Sequence, residues 1–570
     1  MADTTDPVVD DAVAEAAEPA GEAEAAVVER EPGEPDPKVE PVPIEELRIA
    51  AQVIGLTASD DDLKTAAKPV ASNRKRYAYP RKHPLADGGE PLPALRFDPL
   101  AETTARVESS GGRRWRPDRA PRRFDFDPDN DDIDLSNVGL LAGLIRARRV
   151  TCRQLTEASL ARLAAVDQQL HCLVTLTAER AREAADRLDA ELEAGHWRGP
   201  LHGLPWGAKD LIDVVGHPTT WGSPVWKDRM PTHDATVVRR LDDAGAVLVA
   251  KLATGELAMG DRCFGGQTRN PWHPESGSSG SSAGSGAAVS AGAVAFALGT
   301  ETYGSIVSPS AVCGCSGLRP TFGRVSRTGV MTLAWTMDKV GPIARTIAPL
   351  GPVLAAIIGT DPADPTTVDY PFAAPGSTDV TGWRVGVAES AFEEFELDRH
   401  VIDELSALGV ELVRFEPPDM PIDEILYDGI AAESASSFDE LTRAGRLGEL
   451  ANQDGWPPGF IASRFVPAVE YLRGQRMRTE LMVATGLAMD GLDAVVHPTL
   501  STPMLGIGNL TGRPTVAAPC GLGTKHEDGG DVTLPRSISF TGQLYGEERL
   551  LALAATWQKA TGHHLARPPI

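Results

Sequence analysis

Cysteine is scarce. Six occur in 570 residues, and only Cys313 and Cys315 stand close together. So few, so scattered, argue against a disulfide framework, and one C-x-C without a second pair is no metal knuckle. Aromatic residues are sparse at 5%. Positive charge is short, with 55 Lys and Arg against 80 Asp and Glu, a net charge of −25. That balance argues against a grip on a nucleic-acid backbone or on an anionic membrane surface. No run reaches the roughly 18 to 20 apolar residues of a membrane span. The N-terminus lacks the basic-then-apolar pattern of a secretion signal. A reducing cytoplasm is the expected compartment.

What is present is uneven. Residues 1–43 carry thirteen acids and two bases and no large aromatic residue. Such a segment cannot bury enough apolar surface to offset its ordering entropy, so a disordered acidic tail is expected. A small extension follows over 44–133. IEELRIAAQV has a helical period ended by Gly55, and Ser59 with Asp60 and Asp61 suits a second helix start. Basic, Pro- and Arg-rich coil is expected from SNRKRYAYPRKHPL onward.

From residue 134 to 570 helical patterns alternate with short apolar strands. LLAGLIRARR reads as a helix. Thr151 and Gln154 form a capping box that opens another. CLVTL, LPWGAKD and AVLVAKL read as strands, and ATVVRRLDDAG as a helix between the last two. The alternation predicts an α/β fold with a mainly parallel sheet. AAVSAGAVAFAL (287–298) is apolar all round and predicts one buried central helix. Further helices are expected near 401–408, 423–446, 467–489 and 546–562.

The chemistry concentrates in residues 270–346. NPWHPESGSSGSSAGSGAAVSAG and GTETYGSIVSPSAVCGCSGLRPTFGRVSRTGV are too rich in Gly and Ser for a core segment. They are also too deeply embedded between apolar runs for a flexible linker. Glycine lets backbone approach a ligand, and serine supplies hydroxyls. No Lys follows these glycines in the pattern of a phosphate loop, and no G-x-G-x-x-G turn is present. Gly280-Ser281-Ser282-Ala283-Gly284 matches G-x-S-x-G, which would make Ser282 a hydrolase nucleophile, but no strand is predicted before it. His497, His563 and His564 are scattered, and no H-E-x-x-H cluster points to a metal. Trp206, Trp221, Trp335 and Trp456 are candidates for a pocket wall or simply for core.

Taken together, LHGLPWGAKDLIDVVGHPTT, GSSAGSGAAVSAG, GTETYGSIVSP, CGCSGLRPTFGRVSR, GRPTVAAPCGL and SISFTGQLYGEERLLALA resemble, in order, the motifs of the amidase signature family. The resemblance runs from about residue 135 to the C-terminus. It implies an α/β/α sandwich on a large mixed β-sheet, with the helical region 390–490 covering the active site. It also implies a Ser-Ser-Lys triad. Lys209 would be the base, Ser281 the bridging serine after a cis peptide, and Ser305 the nucleophile. Thr302, Tyr303 and Gly304, with Ser305, would supply oxyanion-hole N–H groups. Gly280, Ser282 and Trp335 would contact substrate. Glu301 and Asp338 would orient the core loops.

The implied reaction is hydrolysis of a small-molecule amide to carboxylate plus ammonia or amine, with no cofactor and no metal. A homodimer is compatible with the resemblance. The alternatives are an esterase or carbamate hydrolase on the same triad, the A-type subunit of a tRNA-dependent amidotransferase, and a catalytically impaired binding scaffold. The chain departs from the family pattern at Tyr303, where Gly is usual, and at Val307, where Arg is usual. Ser279 and Ala283 likewise replace glycines.

Overall fold

The computed structural model describes residues 39–77, 81, 116, 133–376, 378–527 and 530–570. The acidic tail predicted over 1–43 lies outside the described residues as far as residue 38. So does most of the coil predicted before residue 133. Residues Pro41–Ile570 form one compact unit.

Its centre is an eleven-stranded mixed sheet. In chain order the strands are β1 (Leu173–Leu176), β2 (Pro205–Lys209), β3 (Val247–Leu252), β4 (Phe296–Glu301), β5 (Ser316–Arg319) and β6 (Lys339–Ala344). They continue with β7 (Arg384–Ala388), β8 (Glu411–Phe415), β9 (Ala494–Pro498), β10 (Thr515–Glu527) and β11 (Gly530–Gly542). The spatial order is β1-β3-β2-β4-β6-β5-β10-β11-β9-β7-β8. Parallel pairing is confined to β2 with β3 and β4, and to β7 with β8 and β9. The middle of the sheet is antiparallel, so the mainly parallel sheet read from helix–strand alternation is corrected to a mixed one. β10 and β11 form a long hairpin, and β6 pairs antiparallel with both β4 and β5, although the connections between these three are long enough for crossovers.

Most predicted elements are found within a few residues. Thr151 accepts from Gln154 N, and the Gln154 side chain accepts from Thr151 N, at the start of helix Cys152–Leu170. Two readings need correction. The run 287–298 is not one helix: helix Ala283–Ser290 ends, the chain turns through Gly292 at φ +67°, and Phe296 begins β4. An all-apolar run cannot distinguish a buried helix from a buried strand. The basic segment after Ser72 is not coil at its start, because helix Asp60–Arg76 continues through it. The Ser59–Asp62 capping box and a last turn of Arg74, Lys75 and Arg76 favour that length.

The core spreads over both faces of the sheet. Trp206 of β2 stacks on Phe296 of β4 with centroids 6.0 Å apart, and both are fully buried. Helix Asp60–Arg76 packs on helix Trp456–Ser463. Among the described residues, no helix is long and apolar enough to cross a membrane.

Candidate active site

β2, β4 and the Gly/Ser loop meet at one point. Lys209 is the last residue of β2 and fully buried. Its Nζ lies 2.7 Å from Ser281 Oγ, 2.8 Å from Thr300 Oγ1 and 3.4 Å from the Thr300 carbonyl. None of these partners is anionic. Burial drives the Lys209 pKa well below the usual lysine value, and the more distant charges of Asp338 and Glu301 only partly oppose it. A neutral amine has two N–H donors and one lone pair. Three uncharged neighbours can satisfy all of them if the Ser281 hydroxyl donates to the lone pair.

The next residue, Asp210, does not compensate Lys209. Its carboxylate accepts from Lys251 Nζ at 2.6 Å and from Thr220 N at 2.9 Å.

The peptide bond Gly280–Ser281 is cis. At Gly280 the chain passes so close to Gly260 that an added Cβ would sit 1.8 Å from the Gly260 carbonyl oxygen. Only glycine fits there, so Gly280 is a packing requirement of the loop. Ser282 is fully buried, and its Oγ engages both backbone polar groups of Thr300 in β4. It accepts from Thr300 N and donates to Thr300 O, both at 3.2 Å. A hydroxyl spent twice on the sheet is not a free nucleophile, which disposes of the G-x-S-x-G reading. Ser282 N donates to the Ser305 carbonyl at 3.2 Å, tying the segment that carries Ser281 to the one that carries Ser305.

Ser305 sits in the turn between β4 and helix Val307–Val312 and keeps 8% exposure, against none at Lys209 and 1% at Ser281. Of the three, the outermost is the one reachable by a ligand. The turn is held from behind by Glu301, the last residue of β4. Its carboxylate accepts from Ile306 N (2.8 Å), Val307 N (3.1 Å), Arg319 (2.8 Å) and Asn509 Nδ2 (2.9 Å). Burial pushes the Glu301 pKa up, but Arg319, Lys339 and these hydrogen bonds overcome it and hold the group at about 2. Its buried charge is met directly by Arg319 of β5 and by the N–H groups of the turn. Among the described residues, no hydrogen bond is donated by the N–H groups of Thr302, Tyr303, Gly304 or Ser305. The turn thus presents unengaged donors beside Ser305.

Tyr303 does not distort this turn. The positive φ, +81°, falls on Gly304 and not on Tyr303. The Tyr303 ring packs edge-on against Tyr427 at 6.2 Å, with Val307 and Leu505 nearby. Thr302 donates through Oγ1 to Asp338 at 2.6 Å, and Asp338 also accepts from Leu333 N and Ala334 N. Burial raises the Asp338 pKa against those hydrogen bonds.

A cavity of about 280 Å³ opens beside these groups, lined by Thr300, Thr302, Met331, Leu333, Trp335 and Lys339 among others. Trp335 is 41% exposed and lines it. Trp206 and Trp456 are instead core, with Trp456 Nε1 donating to the Glu256 carbonyl at 2.9 Å. Trp221 packs on Trp226 and Phe438. His497 is buried between Pro498 O and Thr541 Oγ1, and burial lowers its pKa to about 4. Arg478 is committed to Leu510 O and Thr336.

Two neighbours of the site were not singled out by the sequence. Thr300 contacts Lys209, and its place at the end of a buried strand facing the Gly/Ser loop was the available signal. Lys339 is a second buried amine, 2.9 Å from Asn509 Oδ1 and 3.4 Å from the Thr302 carbonyl. Burial and Arg319 lower its pKa well below the usual value.

The Amidase family model matches residues 154–522. The chain belongs to the amidase signature family. A curated relative, the A-type subunit of the glutamyl-tRNA(Gln) amidotransferase of Roseiflexus sp. (strain RS-1), is 35% identical over 473 residues, covering 74% of this chain and 95% of its own. The native peptide amidase of Stenotrophomonas maltophilia superposes with a TM-score of 0.67 at 30% identity, covering 78% of this chain and 99% of that one. The peptide amidase PAM in complex with the competitive inhibitor chymostatin gives 0.66 at 29% identity, covering 77% and 99%. Helices Ile44–Val53 and Asp60–Arg76 lie outside the family match.

Proposed function

We propose that this amidase-family chain cleaves a carboxylic amide C–N bond through an acyl-enzyme on Ser305. The observation that carries this is Lys209: buried, without an anionic partner, and 2.7 Å from Ser281 Oγ. A serine hydroxyl needs an adjacent base, and a lysine serves only when uncharged. Ser305 Oγ attacks the carbonyl carbon. Its proton passes to Ser281 Oγ as the Ser281 proton passes to Lys209 Nζ. The tetrahedral oxyanion is received by N–H groups of the turn 302–305, each such donor contributing about 3 kcal/mol in comparable sites. As the C–N bond breaks, the proton returns through Ser281 to the leaving nitrogen. Water then attacks the ester by the same relay and frees the carboxylate. The cavity at Trp335 is the place for the acyl or amine portion, and its lining sets Met331, Leu333 and Trp335 beside Arg327, Asp338 and Lys339.

The destination of the nitrogen divides two readings. As a free-standing amidase the chain releases ammonia or amine to water, in line with its likeness to the peptide amidases. As the A-type member of an amidotransferase it hands ammonia to a partner. The curated relatives carry that name at 31 to 35% identity over 95 to 98% of their own length, and they weigh more toward the second reading than toward the first. An esterase or carbamate hydrolase would use the same groups.

The test is release of ammonia or amine from glutamine, peptide C-terminal amides and simple amides, with paired esters, by the wild type and by Ser305→Ala. Activity equal in the variant, or no labelling of Ser305 by a fluorophosphonate, overturns the acyl-enzyme. Amide turnover by the purified chain alone supports the first reading. Turnover that appears only with co-purifying partner chains supports the second.

A further inference from the structure

Away from the amide site, three ligand-bearing side chains converge that sequence spacing kept apart. Helix His400–Ala407 presents His400 and Glu404 one turn apart, and the C-terminal turn His563–Leu565 brings His563 against them. His563 Nε2 is 2.7 Å from Glu404 Oε1, and His400 Nε2 is 3.9 Å from the same oxygen. One ligand atom from each residue lies within 4.8 Å of the other two. Zinc bonds of about 2.0–2.2 Å in a tetrahedron hold ligand atoms a little over 3 Å apart, so small side-chain shifts suffice.

The groups behind these ligands are already in place. His400 Nδ1 lies 3.0 Å from the Leu397 carbonyl, so an Nδ1–H donor there leaves Nε2 as the lone-pair nitrogen. Yet Nε2 faces another acceptor, the Cys520 carbonyl oxygen, at 2.8 Å. A neutral imidazole has one N–H and satisfies one of the two. A cation between Nε2 and that oxygen satisfies both, and makes the carbonyl a fourth ligand. Trp557, fully buried, donates Nε1–H to Glu404 Oε2 at 2.9 Å, which leaves Oε1 facing the histidines. His400 is exposed and the other two are partly exposed, so an ion can enter.

We propose that His400, Glu404 and His563, with the Cys520 carbonyl, form a site for a divalent transition metal of the zinc class. Two imidazoles and one carboxylate suit zinc or cobalt better than the all-oxygen preference of calcium or magnesium. The ion would bind together helix His400–Ala407, strand β10 and the C-terminal turn. It takes no part in the amide chemistry proposed above.

The experiment uses the full chain, freed of metal with EDTA and titrated with Zn2+ by calorimetry. Wild type is expected to bind one equivalent. His563→Ala and Glu404→Gln are expected to weaken that event at least 100-fold, and Ser305→Ala to leave it unchanged. Co2+ in place of Zn2+ should give the intense visible bands of a four-coordinate ion in wild type and not in His563→Ala. A melting curve raised by Zn2+ in wild type and in Ser305→Ala but not in His563→Ala is the accompanying sign. Absence of zinc binding by the wild type, or equal binding by His563→Ala and Glu404→Gln, overturns the proposal whatever the outcome of the amide assays.

Discussion

Lys209 and Lys251 stand at the ends of neighbouring strands, β2 and β3, with Ala208 opposite Lys251 and Lys209 opposite Leu252 in the register. Both are buried completely. Burial lowers the pKa of both, yet their surroundings differ in one respect. Lys251 holds Asp210 at 2.6 Å, and that carboxylate opposes the effect of burial. Lys209 holds two hydroxyls and a carbonyl, and nothing nearby restores its charge. The same side chain is half of an ion pair in one place and, in the proposed reaction, a base in the other. What decides is the single carboxylate of Asp210, which belongs to the residue after Lys209 but turns toward Lys251.

The largest effect should separate the two lysines by function. Lys209→Met and Ser305→Ala are each expected to lower amide turnover by about 10⁴-fold or more. The double variant should lose little beyond either alone, because groups acting as one unit are not additive. Lys251→Met should act on stability instead. It leaves Asp210 buried without its cation, at about 3–5 kcal/mol in urea unfolding, whereas Lys209→Met should stay within about 1 kcal/mol of wild type. Equal destabilisation by the two would erase the contrast.

The pH dependence sharpens it further. The proposed relay needs the neutral amine, so kcat/KM should rise with pH through the lowered pKa of Lys209 and fall on the acid side. Stability should carry the matching sign. The unfolded lysine takes up a proton that the buried amine refuses, so stability rises with pH between the lowered value and the ordinary 10.5. Thr300→Val removes an acceptor that favours the ammonium form. It should move the acid limb of kcat/KM to lower pH and cost about tenfold in rate. The smallest effect is expected at Trp335→Ala, a few-fold rise in KM for amides with bulky apolar groups and little change in kcat.

Much of this was legible in the chain itself. The capping box at Thr151, the apolar strand ending in Lys209 and the Gly/Ser loop all carry local signals that survive folding. Ser281 was legible as a motif position, and its hydrogen bond to Lys209 brings the two motifs together. The antiparallel middle of the sheet was not legible from the alternation of helix and strand, which says nothing about which strands become neighbours; the mixed sheet was implied only by the family resemblance. The run 287–298 misled because two buried elements share one composition. Lys339 and Arg319 escaped notice because their places around Glu301 depend on β6 pairing with both β4 and β5. His400, Glu404 and His563 escaped because the partners are 159 residues apart.

The close pass of Gly280 over the Gly260 carbonyl has a practical consequence for anyone reshaping this protein. With no room for even a methyl group there, a randomised position 280 should return glycine alone, and the two loops can shift only together as bare backbone. New substrate preference would have to be written from the other walls, at Trp335, where a side chain 41% exposed already lines the cavity.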